Sequence, residues 1–83
     1  MDRKLLHLDF GRGKLRDGNR ILDAIDPASA SDELKWALED FASALGDLAD
    51  AIRQSHVDWM YDCIDDAEEI ARDIEEILNR GQS

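Results

Sequence analysis

The sequence predicts a mainly α-helical fold in which two long amphipathic helices pack as an antiparallel hairpin. Apolar residues recur at alternating spacings of three and four over residues 34–52 and again over residues 57–78, which is the repeat of a helix with one apolar side. With 83 residues, of which 43% are hydrophobic, the chain has room for one domain with a thin core. We therefore expect residues 1–83 to form one helical domain, as a three-helix bundle or as a dimeric four-helix bundle.

Residues 1–16 are expected to form a basic N-terminal arm that is strand-like. Leu6, Leu8 and Phe10 alternate with polar residues, a period of two that is typical of a strand. Gly11 and Gly13 then interrupt the pattern. Residues 1–20 hold six cations against three carboxylates, a net charge of +3.

A short helix is expected over residues 18–26, where three apolar residues have helical spacing. Asp17 is its expected N-cap, and Pro27 ends it because the residue before a proline avoids the α-helical region. The alternative is a hairpin turn over residues 17–19, with residues 14–16 as a returning strand.

The first long helix is expected over residues 32–54, with Ser31 alone, or Ser29 together with Asp32, capping its N-terminus. Trp36 lies opposite its apolar seam, so we expect an exposed contact residue there unless the N-terminal region covers it. The seam consists of Leu34, Leu38, Phe41, Leu45, Leu48 and Ile52.

The second long helix is expected over residues 56–80, because Ser55 and Asp58 have the spacing of a capping box. The alternative is one helix over residues 32–80, since residues 53–56 contain neither glycine nor proline. The seam of this helix consists of Val57, Met60, Ile64, Ala67, Ala71, Ile74 and Leu78. A second apolar row widens it beyond what one helix covers, so the N-terminal region or another subunit is expected there. This row consists of Trp59, Cys63, Ile70 and Ile77.

The charge is the strongest functional signal. The net charge is −10, and residues 21–83 hold four cations against seventeen carboxylates. The side of the second helix opposite its seam is a stripe of carboxylates in which only Arg72 relieves the repulsion. We expect this stripe to bind a partner, with the two tryptophans as anchors. The expected binding residues are Asp58, Asp62, Asp65, Asp66, Glu69, Asp73, Glu76, Trp36 and Trp59.

An acidic surface attracts basic protein surfaces and repels nucleic acid and anionic lipid. Carboxylates about one helical turn apart imitate the spacing of backbone phosphates, so we expect an inhibitor or regulator that docks on a basic, nucleic-acid-binding site of a partner protein. Small acidic proteins of phages and mobile elements act in this way, and the physical analogy suggests an anti-CRISPR or anti-restriction role. The first alternative is a coiled-coil assembly, antitoxin or chaperone-like module that uses its apolar seams. The second is an all-α metal-dependent nucleotide hydrolase.

We expect no catalytic residue, metal or cofactor. Metal sites of helical bundles face the interior, whereas these carboxylates point away from the seams. Cys63 and His56 with one further histidine are too few for a zinc site. The chain has no apolar run of about 20 residues that could span a bilayer and no signal-peptide pattern. We therefore expect a cytoplasmic, non-enzymatic protein that forms a homodimer.

Overall fold

The computed structural model describes residues 3–80 and consists of three α-helices with one short 3₁₀ turn. Helix α1 spans Arg3–Ala24, α2 spans Asp32–Arg53 and α3 spans Val57–Asn79. Helices α2 and α3 pack most extensively on each other. The predicted helical hairpin is therefore confirmed, and its helices end within one residue of the expected positions. Residues 1, 2 and 81–83, which belong to the predicted arm and domain, lie outside the described part of the chain.

The strand-like arm predicted for residues 1–16 is wrong, and the short helix predicted for residues 18–26 is only the end of a longer one. Helix α1 is continuous over 22 residues. The alternation of apolar residues was misleading because Leu8 is buried whereas Leu6 and Phe10 are about half exposed, at 53% and 48%. The buried positions of α1 follow a helical period instead, and two of the three are glycines.

Glycine allows α1 to approach the hairpin closely. A Cβ atom on Gly18 would lie 2.5 and 2.8 Å from the two terminal methyl carbons of Leu45, and one on Gly11 would overlap Met60. Gly11 lies near Ile52 of α2, whereas the later residue Gly18 lies near the earlier residue Leu45. Helices α1 and α2 are therefore antiparallel. Helix α1 is parallel to α3, because Lys14 Nζ lies 3.0 Å from Glu68 Oε1 and His7 contacts Tyr61. Within the described residues, the fold is a three-helix bundle.

The core lies where the three helices meet and consists mainly of the two predicted seams. Its most deeply buried large side chains are Phe41, Leu34, Leu48, Met60 and Ile74. The last predicted seam residue is an exception. Leu78 is 41% exposed, whereas Ile77 is buried. At the end of α3, Ile77 therefore faces the core in place of Leu78.

The connection between α1 and α2 follows the sequence signals. Helix α1 ends before Pro27, which begins the 3₁₀ turn Pro27–Ser29. Asp26 caps that turn by accepting a hydrogen bond from the N–H of Ala28. Ser31 caps α2, since its Oγ accepts a hydrogen bond of 3.2 Å from the N–H of Leu34. The predicted serine cap is therefore confirmed.

The turn between α2 and α3 is a Schellman motif without glycine. The N–H of Ser55 donates to the carbonyl of Ile52, and the N–H of His56 donates to the carbonyl of Ala51. Ser55 has a φ of 57°, a left-handed conformation that glycine usually supplies at this position. The cap of α3 is His56, whose Nδ1 accepts from the N–H of Trp59, so the predicted Ser55 capping box does not form.

Candidate protein-binding surface

The α2–α3 hairpin has two sides, and α1 packs on only one of them. On that side Gly18 and Lys14 contact Leu45 and Glu68. On the other side a groove follows the line along which α2 and α3 meet, and no residue of α1 lines it. We call this feature the acidic groove. It is lined by Glu33, Trp36, Ala37, Asp40, Ser43, Ala44 and Asp47 of α2, by Asp66, Glu69, Ile70, Asp73, Glu76 and Ile77 of α3, and by Arg80, which directly follows α3.

Negative charge dominates the acidic groove. Seven carboxylates line it against one cation, Arg80, whose Nη2 lies 2.8 Å from Glu33 Oε1 at one end. Within residues 3–80 the other six carboxylates form no ion pair. Three of the seven come from α2 and four from α3, so like charges face each other across the groove. Their mutual repulsion is a cost that a cationic partner would remove.

Carboxylates of both α2 and α3 act on the thiol of Cys63. Its side chain is buried, and the pKa of its thiol is raised by this burial and then by the negative charges of Asp47, Asp66 and Asp62. One of these carboxylates belongs to α2 and two belong to α3. The field of both acidic rows therefore reaches the same sulfur atom.

The wall of the acidic groove also contains apolar residues. Trp36 is 69% exposed, so α1 does not cover it. Ala37 and Ile70 are partly buried beside it, and Ile77 is buried. The part of the groove around these residues has a volume of about 480 Å³. It therefore offers an apolar strip between two acidic rows, with space for side chains of another molecule.

Five of the nine predicted binding residues line the acidic groove: Trp36, Asp66, Glu69, Asp73 and Glu76. Asp62 does not line it but is exposed one helical turn before Asp66, and its charge acts on Cys63. The other three do not line it. Asp58 is in the first turn of α3, Asp65 is exposed outside the groove, and Trp59 is half-buried with its ring edge-on to His56.

The contribution of α2 to the acidic groove was not predicted from the sequence. Glu33, Asp40 and Asp47 bring a second row of carboxylates to the groove. They are seven residues apart, which is nearly two helical turns, so they share one side of α2. That spacing was visible in the sequence. Its meaning depended on which side of α2 turns toward α3, and this required the packing of the hairpin.

The apolar row predicted along the edge of α3 is only partly covered. Cys63 and Ile77 are buried, whereas Trp59 and Ile70 remain half-buried. Helix α1 does not cover this row, because it packs along the Tyr61 and Glu68 side of α3. The row therefore borders the acidic groove, which no element of residues 3–80 fills.

Neither a metal site nor a membrane-spanning helix is found in the described part of the chain. Among residues 3–80, no three His, Cys, Asp or Glu side chains are grouped so that they could hold a metal ion. None of the helices in this part of the chain has the length and apolar content needed to cross a membrane. In comparisons with known proteins, no family model, curated protein or solved structure matches the chain.

Proposed function

We propose that this protein binds a basic surface of a partner protein, of the kind that otherwise binds nucleic acid, and thereby blocks that surface. The observation that supports this proposal is the acidic groove, where two rows of carboxylates face each other and the one cation is already paired. Inhibition of a CRISPR or restriction nuclease would be one form of this function.

The charge density of the groove is close to that of a nucleic acid strand. Its α2 row extends from residue 33 to residue 47, which is about 21 Å at a rise of 1.5 Å per residue. Arg80 offsets one of the seven carboxylates, so six net charges over this length correspond to roughly one per 3.5 Å, compared with one per 3.4 Å along a single DNA strand. A surface that binds phosphates would therefore meet a similar linear density of negative charge.

The net charge of −10 determines which molecules this protein attracts and which it repels. Charge of this sign repels nucleic acid, so the acidic groove competes with nucleic acid for a cationic site and does not bind it. Complementary charge also accelerates association and makes it sensitive to ionic strength. We therefore expect fast binding at low salt that weakens steeply as salt is added.

The assembly-module alternative has less support. It requires the apolar seams to recognise a partner, but most seam side chains already lie in the core between α1, α2 and α3. Homodimer formation remains a prediction.

A pair of charge-matched variants tests the proposed function. Asp66→Lys with Asp73→Lys reverses two carboxylates that line the groove, and Asp65→Lys with Glu75→Lys makes the same change in charge on α3 outside it. The immobilised proteins would be incubated with lysate of the source cell, and captured proteins would be identified by mass spectrometry. We expect the unmodified protein and the Asp65/Glu75 variant to capture a basic nucleic-acid-binding protein that a DNA duplex displaces. The Asp66/Asp73 variant should lose it.

Two results would contradict the proposed function. One is capture that survives the Asp66/Asp73 reversal, because the groove would then not be the binding surface. The other is a captured partner that nucleic acid does not displace, because the blocked site would then serve another ligand. Circular dichroism of each variant would show whether its helices remain intact.

A further inference from the structure

We propose that the acidic groove accepts a basic amphipathic α-helix of the partner protein. The helix would lie along the groove with its apolar side on Trp36, Ile70 and Ile77 and its cations against the two rows of carboxylates. This inference rests on the proposed function and specifies the structural element that is recognised.

The hairpin of this protein already packs against one basic helix, its own α1. Helix α1 has six cations and three carboxylates, a net charge of +3, whereas α3 has one cation and nine carboxylates, a net charge of −8. Helix α1 lies along one side of the hairpin with Leu8, Leu15 and Ile21 against the core, although Leu6 and Phe10 stay about half exposed. Its Lys14 pairs with Glu68 at the edge. The hairpin therefore already packs against a basic helix that combines apolar contacts with an ion pair, on its other side.

The groove combines apolar residues with acidic ones. A purely electrostatic contact needs no apolar strip, yet Trp36 is 69% exposed in the part of the groove that ends at Glu33 and Arg80, and Ile70 lies partly exposed in the same wall. Tryptophan is among the residues that contribute most to binding energy at protein interfaces. The pattern matches helix-in-groove recognition, in which apolar side chains anchor the ligand and charges set its orientation.

The acidic groove also has dimensions that suit an α-helix. A helix with side chains is about 10–12 Å wide, and neighbouring packed helices are about 8–10 Å apart. A helix laid over the α2–α3 line would therefore contact both rows at once. The length of about 21 Å corresponds to roughly 14 residues of such a helix, which is enough for two heptads of apolar and cationic residues.

The experiment uses Trp36 as the reporter. Trp59→Phe leaves Trp36 as the single tryptophan of the chain. This protein would be titrated at low salt with three synthetic 14-residue peptides of equal charge: a leucine–lysine peptide with helical spacing, the same residues in a non-amphipathic order, and a peptide with serine in place of leucine. We expect only the first peptide to become helical and to shift Trp36 emission to shorter wavelength.

The same charge-matched variants locate the binding site. In the Trp59→Phe background, reversal of Asp66 and Asp73 should weaken binding of the amphipathic peptide at least tenfold, about 1.4 kcal/mol. Reversal of Asp65 and Glu75 should have a smaller effect, because those residues do not line the groove. Replacing Ile70 with serine should weaken binding of the amphipathic peptide and leave that of the serine peptide unchanged.

Each contrary outcome has a distinct meaning. If the serine peptide binds as tightly as the amphipathic one, the helix-in-groove proposal is wrong but docking on basic surfaces stands. If reversal of Asp66 and Asp73 does not weaken any peptide, the groove is not the binding surface and both proposals fail. If light scattering shows a dimer and Trp36 emission shifts to longer wavelength on dilution, a second copy occupies the groove, and the partner-helix proposal is wrong.

Discussion

The packing of α1 can be tested by adding single methyl groups at glycines. Gly18 lies against Leu45, whereas Cβ atoms on Gly13 and on Gly46 would have no neighbour within 4 Å. Gly13 and Gly18 are both interior residues of α1. Replacing each with alanine therefore makes the same change in helix propensity and differs only in what the new methyl group meets.

The expected magnitudes follow from these surroundings. Gly13→Ala and Gly46→Ala should each raise the free energy of unfolding by about 0.5–1 kcal/mol, the usual difference between alanine and glycine inside a helix. Gly18→Ala has the same gain, but its Cβ would lie 2.5 and 2.8 Å from Leu45 methyl carbons, well inside the normal contact distance of about 3.5–4.0 Å. Such overpacking costs about 1–3 kcal/mol, so we expect a net loss of about 1 kcal/mol.

Urea and thermal unfolding followed by circular dichroism at a helical band would measure these changes. For a domain of this size 1 kcal/mol corresponds to about 4–8 °C in Tm, so Gly13→Ala and Gly18→Ala should shift Tm in opposite directions. Leu45→Ala should be less damaging in the Gly18→Ala background than alone, because the added methyl group occupies part of the space that leucine leaves. If Gly18→Ala stabilises the protein as much as Gly13→Ala does, α1 does not pack on Leu45, and the distinction between a covered and an open side of the hairpin is lost.

Three further predictions concern the turn, the thiol and the net charge. Ser55→Gly should raise the free energy of unfolding by about 1 kcal/mol because the left-handed conformation of residue 55 is strained for serine, and an unchanged or lower urea midpoint would contradict the Schellman geometry. The raised pKa of the Cys63 thiol means little reactive thiolate near its usual pKa of about 8.5, so an aromatic disulfide reagent should react slowly there and faster as pH rises. Asp47→Asn with Asp66→Asn should lower that pKa and increase the rate, and an unchanged rate would mean that the two carboxylates do not act on the sulfur. Raising ionic strength from about 0.01 M to 1 M shortens the Debye length from about 30 Å to 3 Å and should raise Tm by screening self-repulsion, whereas a fall in Tm would mean that the surface ion pairs outweigh it.

The sequence was sufficient for the parts of the fold that depend on apolar periodicity. The seams of α2 and α3 predicted both helices, and the spacing of five between the seam residues Ile52 and Val57, which interrupts the alternation of three and four, predicted the hairpin. Helix α1 could not be predicted in this way, because its closest contacts are made by Gly11 and Gly18. In a sequence, a glycine that lets two helices pack closely cannot be distinguished from a glycine that interrupts a helix.

The candidate site was predictable to the same degree. The carboxylates of α3 and the exposed Trp36 follow from the geometry of a single helix, so sequence periodicity was enough to find them. The row containing Asp40 and Asp47 could be assigned to the groove only once the rotation of α2 about its axis, relative to α3, was known. That rotation depends on how the side chains of two helices interlock, and a periodic pattern in one helix does not contain this information.

The placement of α1 opposite the groove affects how the molecule is oriented as it approaches a charged partner. Its cationic helix and its open anionic face are on opposite sides, so the molecule has a permanent electric dipole across its short axis. In the field of a cationic target this dipole would produce a torque that turns the groove forward and α1 backward. A fluorophore or purification tag near the start of α1 would therefore tend to face away from the target when the two molecules meet.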